Sequence, residues 1–524
     1  MDPPLMKPPQ ATLSAIPKKQ IAAPPKQPSR HIYDVIIIGR QPGGLLAGAL
    51  LAKRGLTVLQ FDPFGHAPFY DFKGTRFPIG PSLVPSLRVM PRVEQALYEL
   101  GINLELSRFQ EAEGHALQFI RPKKRFDHSL NEAELRTEAS RVFPGSAEDV
   151  CDFFRQTAAG AEATHGFFGA QLPFPPKGWW DRFRLRKAVR ELIPPVLPDA
   201  EAGEVKMLPP APENPAVREV KESLWALRPF LTGFERDNDM GGDRAISHLL
   251  HGAYRFPGGE LGLGAQLGQR MLELGSDILG CGDAVHPIEE MEFTFAKISS
   301  LKLENINTIL HAGCYICAMD ARDFACLPLP EKQAARMRRF AQPLRETALG
   351  LTINLLVRSE GLPLGMARRA VLFPQKAPEL GPVLVEVSQA RTADATMDDC
   401  SVVTAAIRMD KDDLDSTDLI RAVVDRIRGA VIDELCPFMD RHILAVSTPM
   451  FDAGLNQPAV LPSYERPDKS YIGMMGLPLC TCFRNVYLAN RQVLPALGLE
   501  GELLAGIRLA DLIQRKLRKH NPLK

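Results

Sequence analysis

No apolar run in this chain reaches the roughly eighteen uninterrupted residues that a bilayer-crossing helix requires, so no spanning helix is expected. Charge of one sign is also lacking. The 63 Lys and Arg against 62 Asp and Glu leave +1, and without a basic excess no surface for nucleic acid is expected. Cysteine is sparse and odd in number: nine thiols lie between Cys151 and Cys482, and the first residues carry no apolar secretory core. Reduced thiols and a cytoplasmic setting are therefore expected, not a disulfide framework. Cys314-x-x-Cys317 has the spacing of a redox or zinc pair, but no second pair stands at metal spacing and the setting, HAGCYICAMD, is strand-like. Buried thiols and no metal are the expectation.

What is present exceeds the size of a single core. At 524 residues and 45% apolar content, two globular domains are expected behind a Pro-, Lys- and Ala-rich lead-in at residues 1–30 that contributes nothing to the fold. The stretch with the clearest physical meaning is Tyr33 to Asp62, YDVIIIGRQPGGLLAGALLAKRGLTVLQFD. Val35 to Ile38 predicts a strand buried on both faces, ending in a tight turn at Gly39. Pro42, Gly43 and Gly44 suit a helix opening directly on that turn, and Leu56 to Phe61 predicts a second strand ending at Asp62. This is the order of a dinucleotide-binding unit: a diphosphate rests on the helix amino end, and the acid hydrogen-bonds a ribose hydroxyl, favouring an adenosine without a 2′-phosphate. One position departs. The pattern G-x-G-x-x-G is met at Gly39 and Gly44, but its middle residue is Gln41, whose side chain stands where the diphosphate approaches the backbone.

Further along, Asn131 to Glu162 is helical with a break at Phe143-Pro144-Gly145, and a helix over Leu263 to Leu274 precedes a strand around Asp283 to Ile288. Strands at Leu349 to Val357, Val383 to Val387 and Ser401 to Ile407 predict a second sheet, covered by a helix that Asp415 caps. Pro173 to Pro195 places Trp179 and Trp180 among Arg182, Arg184, Arg186, Lys187 and Arg190. Two readings stand there: peripheral contact with a membrane surface, or a solvated helix with its tryptophans packed inward.

Four blocks in order, namely the glycine turn, GTRFPIGPS at Gly74 to Ser82, YRFPGGELGLGAQL at Tyr254 to Leu267 and YLANRQVLPALGLEGELLAG at Tyr487 to Gly506, resemble the phytoene desaturase-like family of FAD-dependent oxidoreductases, within the amine oxidase-like group. The resemblance spans roughly residues 33 to 515. It implies an α/β fold: a Rossmann-like FAD-binding domain, discontinuous in sequence (31–110, 250–325 and 480–515), and a second α+β substrate domain (111–249 and 326–479). It places FAD against Gly39, Gln41, Gly43, Gly44, Asp62, Val285 (in a strand on the adenine side), Asn490, Arg491, Leu499, Glu500 and Gly501. Beyond Gln41, two departures touch the same cofactor: Gly65-His66-Ala67 replaces a glycine–glycine–arginine element, and Asn490-Arg491 stands where glycine and aspartate are usual.

The function implied is an FAD-dependent desaturase, dehydrogenase or isomerase that acts on a long apolar, isoprenoid- or lipid-like substrate by hydride transfer to flavin. The flavin carries that chemistry. No Ser/His/Asp set or acid–base pair emerges, so no catalytic residue is assigned, and His251, Tyr254 and Arg255 are read as surface or packing residues. The alternative, which the three departures favour, is a non-catalytic lipid- or prenyl-binding scaffold like the superfamily's prenyl-binding escort proteins, with a degraded FAD site. Substrate identity, electron acceptor and oligomeric state are not legible in the sequence.

Overall fold

The computed structural model describes residues 28–102, 115–192, 214–234, 239–254, 256, 258–279, 285–304, 306, 308–392, 395–453, 462–465 and 474–520. Nearly all of the Pro-rich lead-in, most of the loop Pro194 to Pro215, and Arg255 lie outside them. The sheet that organises the first half starts at β1 (Ile32–Gly39), where Val35 to Ile38 are fully buried, as an unbroken β-branched run demands of a strand covered on both faces. Helix α1 (Pro42–Lys53) follows after two residues and buries every side chain from Pro42 to Ala52. Proline opens it because an N–H at that position has no helical acceptor to lose.

The chain then returns through β2 (Val58–Phe61), parallel to β1. Beyond β2 lies β3 (Asp277–Ile278); on the other flank the hairpin β4 (Ile288–Thr294) and β5 (Lys297–Leu303) leads into β6 (Ile309–Ala318), which runs parallel to β1. The free edge of β6 is shared: β5 pairs with its first residues, and β7 (Val486–Leu488) lies parallel to its last. The sheet has seven strands, five of them parallel neighbours around β1. Helices α1, α2 (Gly259–Glu273) and α3 (Gly498–His520) cover one face through Leu46, Leu267, Met271, Leu503 and Ile507. A Cβ on Gly506 would lie 2.1 Å from the carbonyl oxygen of Gly43, so α1 and α3 cross at backbone contact and any side chain there would force them apart.

The second sheet has eight strands, the longest being Arg345–Arg358 and Thr396–Asp410, and is antiparallel apart from one pair. Helix Thr417–Ala430 covers one face through Ile420, Val423 and Ile427; its cap is Ser416, whose side chain accepts from Leu419 N, not the expected Asp415. The reason is local. Asp415 still belongs to a 3₁₀ turn, so Ser416 is the first residue with the extended backbone a cap needs. Helices Glu132–Val142 and Ala147–Ala159 cover the other face, separated at Phe143-Pro144-Gly145 as expected, with Val150, Phe153 and Phe154 buried. The fold class is the α/β one anticipated, with a Rossmann-like sheet beside a second, mainly antiparallel one.

Two expectations are corrected here. Val285 is not in a strand; it lies in irregular chain before β4, which starts only at Ile288. Its neighbour there is Gly65 of the loop after β2, where a Cβ would lie 2.5 Å from Val285 Cγ2. Trp179 and Trp180 do not pack inward, because helix Trp179–Leu192 buries Leu185 and Ala188 on its opposite face. All eight described cysteines are free, Cys314 and Cys317 are buried in β6, and no group of three potential ligands that could hold a metal occurs among the described residues. No described helix is long and apolar enough to cross a membrane.

Candidate ligand cleft at the glycine turn

The parallel strands β1, β2, β6 and β7 present their carboxyl ends to one cleft, the position where doubly wound sheets bind ligands. It is an open cleft, about 1240 Å³ counting the space open to solvent, lined by Arg40 to Pro42, His66, Glu260, Met319, Asp320, Asp323, Tyr464, Arg491 and Glu502. The turn that opens it is built for glycine: Gly39 has φ +106°, and a Cβ there would lie 2.3 Å from Ala318 O. Gln60 Nε2 donates to Gly39 O at 3.0 Å and Gln41 N donates to Ala318 O at 2.9 Å, which locks the turn onto β2 and β6. Gly44 is equally constrained, since its Cβ would meet that of Ala318 at 2.3 Å.

One donor at the amino end of α1 is taken up by the chain itself. Gly43 N donates to Glu502 Oε1 at 2.9 Å, Gln41 N is used on Ala318, and Pro42 has no N–H to give. Glu502 arrives from the second turn of α3 and is almost completely buried. Burial, reinforced by the neighbouring Glu260 carboxylate, pushes its carboxyl up to about 8, although the Gly43 N–H and Arg491 pull the other way. The balance of magnitudes explains this: a helix dipole favours an anion by at most about 2 kcal/mol, whereas burying a charge costs several. At neutral pH the group is therefore mostly a protonated acid whose carbonyl oxygen accepts from the helix. Gln41, the residue before the helix, adds a buried Oε1 with no hydrogen-bond partner among the described residues.

Asp62 ends β2 as expected, but its carboxylate serves its own loop. It accepts from Phe64 N at 3.1 Å and His66 N at 2.8 Å, and lies 3.4 Å from His66 Nδ1. Burial alone would raise its pKa; the hydrogen bond and charge of His66 outweigh that and hold it below the ordinary carboxylate value. Burial likewise lowers the His66 imidazole, and Asp62, helped by Asp323, more than reverses it. Asp323 is pushed up to about 6 by burial and by Asp320.

Arg491 stands just past β7 and points into the cleft, where Nη2 donates to Glu260 Oε1 at 2.5 Å while Nε has no partner among the described residues. Asn490 instead faces the interior. Its Nδ2 donates to Met319 O at 2.5 Å and its Oδ1 accepts from Gln492 N, tying the end of β7 to the end of β6. Leu499, Glu500 and Gly501 do not line the cleft. Leu499 is packed in the core under α3, Gly501 abuts the Leu494 carbonyl, and Glu500 is buried in a two-point ion pair with Arg244 at 2.6 and 2.8 Å. Glu502, one residue further on, is the member of this segment that reaches the site. Its signal in the sequence was its spacing from Gly506: i and i+4 share a helix face, and a face narrow enough for glycine is one that touches another backbone. His251 is held by Ala158 O at 3.0 Å, away from these residues.

The fold and cleft define a two-domain protein built on a dinucleotide-binding sheet, and comparison with known proteins agrees. Residues 37–100 match the model of the NAD(P)-binding Rossmann-like domain. By sequence, no curated protein is detectably similar to the chain. By structure, it resembles an oxidoreductase from Methanosarcina mazei (14% identity, 91% of this chain and 99% of that one, TM-score 0.53). It also resembles putrescine oxidase bound to putrescine (14% identity, 92% and 99%, TM-score 0.51). A third is cyclohexylamine oxidase from Brevibacterium oxydans (13% identity, 93% and 99%, TM-score 0.50). At such identities the likeness carries the fold, and function has to be argued from the site.

A dinucleotide cofactor is what such a fold implies. The residues present do not fit its diphosphate at α1. One donor that would hold a phosphate oxygen, Gly43 N, is bonded to a carboxyl group of the same chain, and Gln41 lines the cleft where the pattern calls for a glycine.

Proposed function

We propose that this chain uses the two-domain dinucleotide fold as a binding scaffold for a small apolar molecule, isoprenoid- or lipid-like, without redox chemistry. The observation that carries this reading is Glu502 seated on Gly43 N, because a protein that relied on a dinucleotide would keep that donor free for phosphate. The cleft walls support an apolar occupant: Ile79, Leu83, Phe230 and Met319 are buried side chains that line it.

The second reading is the FAD-dependent oxidoreductase of the phytoene desaturase-like kind, acting on the same class of substrate. Two unpartnered polar atoms in the cleft, Gln41 Oε1 and Arg491 Nε, favour it, since a bound polar group would satisfy both. The absorption spectrum of the purified protein separates the two, followed by FAD titration into the wild type, Gln41→Gly, Glu502→Ala and the double variant. On the scaffold reading the wild type is colourless and takes up no FAD, and binding appears only where Glu502 has been removed. A flavin band in the wild type would overturn it in favour of the oxidoreductase.

A further inference from the structure

Helix Trp179–Leu192 shows an outward face unlike the rest of the surface. Trp179, Trp180 and Phe183 are 65%, 61% and 60% exposed, which for three adjacent large aromatics is a cost that a purely solvated helix gains nothing by carrying. The two indoles stack at 3.9 Å, and Phe183 meets Trp180 edge-on at 6.5 Å, so they form one patch. Other exposed apolar side chains, such as Tyr98, Phe295 and Leu364, are far apart in sequence.

The same face is basic. Trp179, Phe183, Arg186 and Arg190 follow i, i+4, i+7, i+11, while Trp180, Arg184 and Lys187 follow i, i+4, i+7 beside them, so aromatics lead and cations continue along one side. Leu185 and Ala188 fall on the opposite side and are buried, which fixes the helix with this face outward. Its two acids leave most of that charge standing: Asp181 is used by Arg508 at 2.9 Å and by Lys177 N, and Glu191, 3.7 Å from Lys187, offsets that one cation.

We propose that this face docks the protein on an anionic lipid surface, with the aromatic trio entering the headgroup layer and Arg184, Arg186, Lys187 and Arg190 pairing with lipid phosphates. Indole and phenyl rings prefer that layer, and long basic side chains lie along its boundary with their charged ends in the headgroups. The charge complementarity selects an anionic bilayer over an apolar protein groove, which would leave Arg184, Arg186 and Arg190 without partners. The inference stands whatever the cleft binds.

The test uses the full chain with phosphatidylcholine vesicles containing about a third phosphatidylserine, against pure phosphatidylcholine. The wild type should float with the anionic vesicles only, and release at about 0.5 M salt. Its fluorescence should be quenched by brominated lipid, against the background of Trp225, which sits under Lys221 and Arg228. Arg184→Gln with Arg190→Gln should weaken partitioning roughly twenty-five-fold, at about fivefold per charge. The triple variant Trp179→Ala, Trp180→Ala, Phe183→Ala should abolish flotation with an unchanged melting curve, since none of the three is buried. Flotation that survives the triple variant would overturn the proposal. So would wild-type tryptophans that aqueous acrylamide cannot reach without lipid, which would mean that the face is already covered in the free protein. A dimer that the triple variant dissolves would overturn it in favour of a second copy of the chain. The quenching arm needs no variant, so it decides the matter even if a substituted protein fails to fold.

Discussion

Replacing Glu502 with Gln isolates the energetic consequence of a carboxyl group closed into the amino end of α1. Glutamine keeps an oxygen to accept from Gly43 N, but it cannot ionise. In the wild type the folded-state pKa is raised from 4.5 to about 8, so between those values the folded chain holds a proton that the unfolded chain has released. The group therefore adds stability relative to an ordinary glutamate only at low pH, and that contribution drains away as pH rises through the window. The slope approaches 1.4 kcal/mol per pH unit, which gives a loss of about 3 kcal/mol between pH 5 and pH 8. Urea unfolding of both proteins across this range measures it. The stability of Glu502→Gln minus that of the wild type should rise by about 3 kcal/mol from acid to alkaline pH, other titrating groups cancelling in the difference. Parallel curves would mean that Glu502 is solvated and ionised, and the closed terminus would be refuted. A difference that grows toward low pH would mean the opposite charge state, a carboxylate anchored by the helix and Arg491.

Arg244→Leu should destabilise the fold by about 3–5 kcal/mol, because it strands the buried Glu500 carboxylate, whereas Arg244→Leu with Glu500→Leu should recover most of that. Equal losses in both variants, read from urea midpoints, would show that packing and not charge dominates there. All nine cysteines should label after denaturation without reductant; fewer would mean a disulfide or a bound metal.

Much of the first domain's geometry was legible because it is local. A β-branched run, a glycine, a proline one step into a helix and a second strand leave the chain few alternatives, and β1, α1 and β2 fall where those residues put them. The break at Phe143-Pro144-Gly145 was legible for the same reason, and so was the burial of Cys314 and Cys317 in a strand. Gln41 could be named as a departure because the position it occupies has a single steric requirement.

The state of the cleft was not legible. Glu502 and Gly43 are 459 residues apart, and although Glu502 shares a helix face with Gly506, only the crossing of α3 over α1 decides that this face meets Gly43 while Glu500 turns toward Arg244. Arg491 could be placed beside the cofactor position, but the approach of α2 supplies Glu260 as its partner. Asp62 could be placed at the end of β2, yet its use depends on how the loop to His66 folds back on it. The outward turn of Trp179 and Trp180 is the same kind of fact: the helix carries apolar residues on two sides, and which side is buried is decided by the core that receives Leu185 and Ala188. Sequence by itself determined the strands, turns and helix starts, where each residue's own conformational limits suffice; the tertiary structure decided which polar groups meet, because buried charges and donors take their partners from whatever distant segment the packing brings within reach.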